Sequence, residues 1–563
     1  MVTNPTLLRL TALGRSLGRK GIRFMTPANP LGVILGALLF MASLTPSLIP
    51  RSGLMQGLLG GANIALGYGI GGILLLAWRW LGLPQVPTRH SRSLYWLSIL
   101  VGGLILVIAL GLAPGWQDQV HRAMGLPPVE SVRPLTIAAV ALAVATLLLS
   151  LGRLFRLAKR SLSSRLTAYV PRRVAFLVGL VATTGLFFYV AEDLLIRPGF
   201  QQLDALYARM DATGSVDLVP PQDPAKTGSP TSLVDWNHLG AEGRRFVSNG
   251  PAAADIQALT QRPARDPLRL YVGMGSAPTA QDRAQLALAE ALRVGAFDRK
   301  VLVLATPTGT GWMDPSAHFP LEVLTDGDVA TVGVQYSYLP SWLSLLAVSE
   351  YGSESARAVF AVFYDYWRSL PMDRRPRLYL FGLSLGAMNT DLSNDVYDFI
   401  DAPYDGAFMA GPPFATRSWA QLTRDRDPGS PAWLPRFRDG ETVRFMGQGS
   451  MPRHQAQWGK TRFLYLQYGS DGISFFSPKL LWQKPDWLDD PHAPDVSPSL
   501  RWVPVVTFLQ IGFDLITATT APRGHGHLYA GRDYMFGWNA LLGTDRGEAE
   551  LDRLAEAMQA QDL

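Results

Sequence analysis

Five long apolar runs crowd the first 200 residues of this 563-residue chain, and no other feature restricts its fold as severely. They are Leu31–Ile49, Leu54–Trp78, Leu94–Trp116, Leu135–Leu151 and Val174–Ile196. A bilayer crossing takes about 20 apolar residues, wound as a helix so that each backbone polar group is satisfied internally. The fourth run, "LTIAAVALAVATLLLSL", is the shortest but carries no charge. Buried core helices would also be apolar, yet five successive runs in one region argue for spans. A cleavable signal peptide fits poorly, since the first run is long, lacks an A-x-A-like end and is followed by four more.

Charge divides the chain in the same place. The first 200 residues hold 19 Lys and Arg against four acids, and the rest holds 32 against 41. The net charge of +6 therefore belongs to the apolar end. No basic run interleaved with aromatics follows, so nucleic acid is not expected as a partner. The chain has no cysteine, which excludes disulfides, thiolate metal sites and a cysteine nucleophile. No cofactor or metal is expected.

Lys and Arg in the connections set an orientation. The N-terminal tail has five (Arg9, Arg15, Arg19, Lys20, Arg23), and the successive connections have one, three, two and seven. High and low counts alternate. That predicts a cytoplasmic N-terminus and, after an odd number of spans, everything beyond Ile196 outside the inner (plasma) membrane.

Residues 199–265, with "VPPQDPAKTGSPTS", read as a linker holding one short helix near Gln202–Met210. From 266 to 563 strand-like runs ("LRLYVGM", "KVLVLATP", "VATVGVQYSY", "DGAFMAG", "RFLYLQYG") alternate with helical patterns such as "TAQDRAQLALAEALRVGAF". Such alternation predicts a mostly parallel sheet with helices on both faces. Two glycine-containing turns are decoys. "GMGSAPTA" has Pro278 where a dinucleotide fingerprint needs its third glycine, and "TPTGTGW" lacks the Lys-Ser/Thr of a phosphate loop.

The pattern G-x-S-x-G occurs twice, at Ser16 and Ser384. A nucleophile elbow needs a buried strand, a tight turn and a helix. Ser16 lies in the basic tail with no strand before it. Ser384 follows the apolar run Leu378–Phe381, stands between Gly382 and Gly386, and precedes a helical stretch. The alternative for Ser384 is an ordinary glycine-rich strand–helix turn.

A serine nucleophile needs a base, and the base an orienting acid, in chain order serine, acid, histidine for this type of sheet. Four histidines follow Ser384, namely His454, His492, His525 and His527. The first two sit in Pro- and Trp-rich loops. The others share "APRGHGHLYAG", and the Gly-His-Gly context favours His525 over His527. Asp471 follows a strand and a Gly-Ser turn, whereas Asp401 and Asp405 precede one, so Asp471 is expected as the acid. Oxyanion donors are expected from the Leu385 N–H and from the loop after "KVLVLA", at Gly309 and Thr310. Residues 411–460 could cover the site as a lid.

The stretches "SLTPSLIPR", "GRRFVSNGP", "FDRKVLVLATPTGTGW", "GDVATVGVQYSYLPSW", "LYLFGLSLGA", "AGPPF" and "GHGHLY" resemble a bacterial family of membrane-anchored α/β-hydrolases with a multi-span N-terminal domain. The resemblance implies an α/β-hydrolase fold and a functional serine, and it names no substrate. Unlike the general pattern of that fold, no clear strand precedes the histidine loop.

The expectation is an α-helical transmembrane bundle (1–198), a linker (199–265) and an α/β-hydrolase domain (266–563). The domain would act as an esterase or lipase on an ester-containing lipid or acylated envelope component, through Ser384, His525 and Asp471. An acyltransferase with the same triad and a non-catalytic membrane scaffold are the alternatives.

Overall fold

The computed structural model describes residues 29–559, apart from 215–216, 341–342, 345–348, 394–396, 398–399, 401, 450, 452–453, 490 and 545. Ser16 and the basic tail lie outside the described residues. The helical N-terminal part comprises α1 (Pro30–Ser43), α2 (Gly53–Trp80), α3 (Thr88–Ala123), α4 (Pro134–Leu166) and α5 (Arg172–Tyr189). A π-helical turn at Val190–Ile196 carries α5 without a break into α6 (Arg197–Thr213).

Four of these helices are long and apolar enough to cross a membrane, one fewer than the five runs predict. The first run does not form one helix. Its α1 has 14 residues, about 21 Å at 1.5 Å per residue. Pro46 and Pro50 stand in the stretch that follows, and Leu44–Ser52 leaves the helical path. The α1 and α2 backbones touch through glycine, since a Cβ on Gly71 would come within 2.5 Å of Gly32 Cα. Elsewhere apolar side chains face outward, as Leu100 (70% exposed) and Leu142 (69%) do. A soluble surface rarely carries so broad an apolar belt.

The second part is a seven-stranded sheet of β1 (Leu268–Val272), β2 (Val301–Thr306), β3 (Val329–Val334), β4 (Arg377–Leu383), β5 (Gly406–Ala410), β6 (Val443–Met446) and β7 (Arg462–Leu466). The order is β1-β3-β2-β4-β5-β7-β6, and each neighbouring pair is parallel. Strands covered on both faces read as continuous apolar runs, which is why "VLVLAT" and "LYLFGL" show no alternation. Side chains still alternate between faces. Leu380 shares a small cavity with Val359 and Phe360, whereas Phe381 meets the Trp538 ring at 5.7 Å between centroids.

Two boundaries differ from the sequence reading. The expected linker contains α7 (Gly240–Ser248) and α8 (Ala253–Thr260). Phe246, Val247 and Leu259 are buried in the same core as the sheet, so this segment packs as part of the sheet domain. The stretch 411–460 is also not simply a lid, because it contributes the edge strand β6. Short strands with one polar position, such as "VRFM", give too little periodicity to be recognised alone.

On one face of the sheet, α10 (Pro315–Leu324) holds His318 between Phe246 and Phe381, with both ring centroids at 5.2 Å. Burial first, and the Arg269 charge second, push its pKa down from 6.5 to about 3. The folded state thus binds fewer protons than the unfolded chain. This contribution is fully present above pH 6.5 and is lost as pH falls toward 3. His318→Leu is expected to flatten the acid limb. The drop in unfolding free energy between pH 7 and pH 4 should shrink by about 3 kcal/mol, measured by chemical denaturation in detergent.

Candidate active site

The C-terminal ends of parallel strands are where such sheets place their chemistry. At the end of β4 the chain turns sharply into α12 (Leu385–Asp391), and Ser384 sits in the turn with φ +58° and ψ −125°. That region is costly for a residue with a side chain, by about 1–3 kcal/mol, and the surroundings must hold it there. The Ser384 N–H donates to Ala410 O at 2.9 Å, anchoring the turn to β5. Gly382 and Gly386 are required sterically. A Cβ on Gly382 would collide with the Gly386 backbone, and one on Gly386 with Thr306 O at the end of β2.

Asp471 follows β7 and caps the short helix α14 (Gly472–Phe475), accepting the Ile473 N–H at 2.9 Å. Its carboxylate is fully buried. Oδ2 accepts the Nδ1–H of His527 at 2.7 Å and the hydroxyl of Tyr529 at 2.7 Å. The acceptor fixes the tautomer, since a carboxylate opposite Nδ1 leaves the proton there and the lone pair on Nε2. Nε2 of His527 is buried and bonded to no described protein group. The imidazole lies against Gly411, where a Cβ would meet its Cε1 at 2.6 Å. Gly411 directly follows Ala410, the residue that holds the Ser384 amide. The ring is therefore beside the elbow.

The histidine paired with Asp471 is His527, not the favoured His525. His525 Nδ1 instead faces Gln448 Nε2 at 3.0 Å. Burial lowers the pKa of His525, opposed by the carboxylates of Asp495 and Asp533. The reason for the reversal is the path of the loop. The N–H of Gly526 donates to Ser470 Oγ at 2.8 Å and that of His527 to Ala518 O at 3.1 Å. Gly526 itself has φ +58°, so the two histidines point to different sides. No short motif carries that information.

A buried polar shell surrounds the pair. Ser470 Oγ donates to Asp495, whose carboxyl pKa is raised by burial. Tyr468 donates to Asp533 and accepts the Ala530 N–H at 2.9 Å. Tyr529 is held well above its ordinary pKa, by burial first and then by the Asp471 charge, so it stays a donor. Tyr529 was not singled out by sequence reasoning, although it stands two residues after His527 in "GHGHLY".

The loop after β2 lies against the elbow, where Gly386 packs on Thr306 O and Pro307 O. Gly311 O accepts the Tyr271 hydroxyl at 2.7 Å, and Thr310 O accepts Gln335 Nε2 at 3.1 Å. Gly309 and Thr310 thus occupy a turn clamped to the sheet. Leu385 opens α12, and the first amides of a helix have no intrahelical acceptor. His454 lies away from these elements, packed against Gly440. Among the described residues, no group of three or more His, Asp or Glu side chains is arranged to hold a metal ion.

The network ranks its members. Tyr529→Phe removes one of the three side-chain hydrogen bonds on Asp471 Oδ2 and leaves the contacts from His527 and Ser474. A serine-directed probe should react about ten-fold more slowly with it, and Asp471→Asn should lose at least a further ten-fold, since an amide can hold the wrong tautomer. Equal rates for Tyr529→Phe and the parent would show that the hydroxyl does not steady the carboxylate.

Comparison with curated proteins and with solved structures found no match. Family models do match. Residues 44–251 correspond to the N-terminal region described for an alpha/beta-hydrolase family. Residues 268–554, just over half of the chain, correspond to the alpha/beta-hydrolase family itself. With a parallel sheet, a strained serine turn and a buried Asp–His pair at the strand ends, the chain belongs to the alpha/beta-hydrolase family.

Proposed function

We propose that this protein is a membrane-held serine esterase of lipase type, with Ser384 as nucleophile, His527 as base and Asp471 as the acid that orients it. The observation that carries the reading is the buried 2.7 Å contact from His527 Nδ1 to Asp471 Oδ2, with Nε2 unpartnered in a ring that packs on Gly411, next to the residue that holds the Ser384 amide. His527 takes the place that the sequence pattern had favoured for His525.

The chemistry follows from these positions. Ser384 Oγ attacks the ester carbonyl carbon while its proton passes to His527 Nε2. Asp471 stabilises the imidazolium without taking the proton. The carbonyl oxygen becomes an oxyanion, which the Leu385 N–H and the Gly309–Thr310 backbone would receive. The carbon–oxygen bond to the alcohol then breaks, and the alcohol leaves with the proton from His527. Water attacks the acyl-serine with His527 as base, releasing the acid and restoring Ser384.

The same reading extends to orientation. The α2–α3 and α4–α5 connections carry Arg79, Arg89 and Arg92, and then the cluster from Arg153 to Arg173. The opposite ends of these helices carry Arg51, Arg122, Arg133 and Arg197. The positive-inside rule supports a catalytic domain outside the cytoplasm of an inner-membrane protein. With the basic tail (Arg9, Arg15, Arg19, Lys20, Arg23) also on the cytoplasmic side, this orientation requires α1 to cross as well.

Purified protein in detergent should label with a fluorophosphonate. Ser384→Ala should abolish labelling, His527→Ala should slow it at least 100-fold, and His525→Ala should stay within about three-fold of the parent. A folded parent that does not label would overturn the reading. Equal losses in the two histidine variants would overturn the assignment of the base.

A further inference from the structure

The helix α15 (Val506–Ile516) is amphipathic in the wrong sense for a soluble surface. Its buried side carries the polar Thr507, Gln510 and Asp514 beside Val506 and Ile511. Outward are Phe508, Leu509 and Phe513, only partly covered, and Ile516, 52% exposed. Leu481 O accepts the Val505 N–H at 3.1 Å, which places Trp482, 63% exposed, beside the start of the helix. An apolar face turned outward favours lipid as its surroundings. Trp at such a rim suits the headgroup level, where an apolar ring and a polar N–H are both accommodated.

The location agrees with the composition. The polar side of α15 docks on residues 44–51, which follow α1 and precede α2. Arg51 Nε donates to Asp514 Oδ1 at 2.9 Å, the Leu48 N–H to Asp514 Oδ2 at 3.1 Å, and Gln510 Nε2 to Thr45 O at 3.2 Å. Both members of the Arg51–Asp514 pair are buried. The helix is thereby fixed against the segment that joins α1 to α2.

From α15 a row of partly exposed aromatic rings runs to the segment that follows Gly411. Phe508 meets Phe476 at 5.4 Å between centroids, and Phe476 meets Phe414 at 5.0 Å. Phe414 stands three residues beyond Gly411, the residue against the His527 ring, and its N–H donates to Ile473 O at 3.0 Å.

We propose that α15 rests in the bilayer surface, and that the substrate is a long-chain acyl ester of that same bilayer, whose chain passes along Phe508, Phe476 and Phe414 to Ser384. The proposal rests on the esterase reading above and specifies its substrate class. The scissile ester sits at the elbow, the acyl chain stays against the aromatic row, and the alcohol portion leaves on the headgroup side.

The absence of cysteine makes the test direct. In the full-length protein, Ile516→Cys carries a single nitroxide, and Ala258→Cys, on the exposed face of α8, is the reference. Both are reconstituted into phospholipid nanodiscs and read by collision with oxygen and with a polar nickel chelate. The Ile516 label should favour oxygen over nickel at least five-fold more than the reference. In parallel, Phe513→Gln/Ile516→Gln and Phe476→Ala are assayed on a long-chain acyl ester within the disc and on a water-soluble butyrate ester, with fluorophosphonate labelling of Ser384 reporting the folded site. The ratio of long-chain to butyrate turnover should fall at least ten-fold in each. An Ile516 label as open to nickel as the reference overturns the membrane contact, and an unchanged ratio overturns the route. A parent that labels and cleaves neither ester sinks the esterase reading itself, and the nitroxide result then stands apart from it.

Discussion

A carboxylate taken out of water must be met by donors on every side, and Asp471 shows how much structure that demand can organise. Its oxygens are met by the Ile473 amide, the Ser474 hydroxyl, Tyr529 and His527. These partners come from two separate stretches, the turn after β7 and the loop after α15. Meeting the charge therefore fixes the imidazole and ties the last third of the chain to the sheet. The elbow depends on the same assembly, because Gly411 supports the His527 ring on one side while its neighbour Ala410 holds the Ser384 amide on the other.

The membrane part is continuous with this arrangement. Leu48, Ile49 and Met124 are buried in the core of the sheet domain. A Cβ on Gly526, within the histidine loop, would lie 3.5 Å from Ile49 Cγ2. Gly472, next to Asp471, packs on the α15 backbone at Asp514, which Arg51 holds from the membrane side. Removing one member of a buried ion pair strands the other in a medium that solvates charge poorly. The apolar helices and Asp471 thus share one packed region, and the sheet domain does not hang from them on a free tether.

Much of the fold was legible because its signals are local. Apolar runs without charge specify spans, and short apolar strands between helical patterns specify a parallel sheet. G-x-S-x-G in a strand–helix setting located the elbow, and the position after a strand located Asp471. Other features depended on distant partners. The first apolar run is long enough to cross, yet Pro46 and Pro50 divert its end into a buried loop that only the catalytic half can cover. Phe246 and Leu259 sit in a Pro- and Gly-rich neighbourhood that reads as a linker, and their burial is set by the sheet on which they pack.

The sequence by itself determined the long apolar helices, the α/β class, the Ser384 turn between strand and helix and the place of Asp471 after a strand, because hydrophobic length, periodicity and turn chemistry act over a few residues. Only the tertiary structure decided which histidine meets the acid. His525 and His527 lie in one glycine-rich loop with similar neighbours. What separates them is the direction in which hydrogen bonds from the loop amides to Ser470, Ala518 and Tyr468 make that loop turn, and those partners are brought together by folding alone.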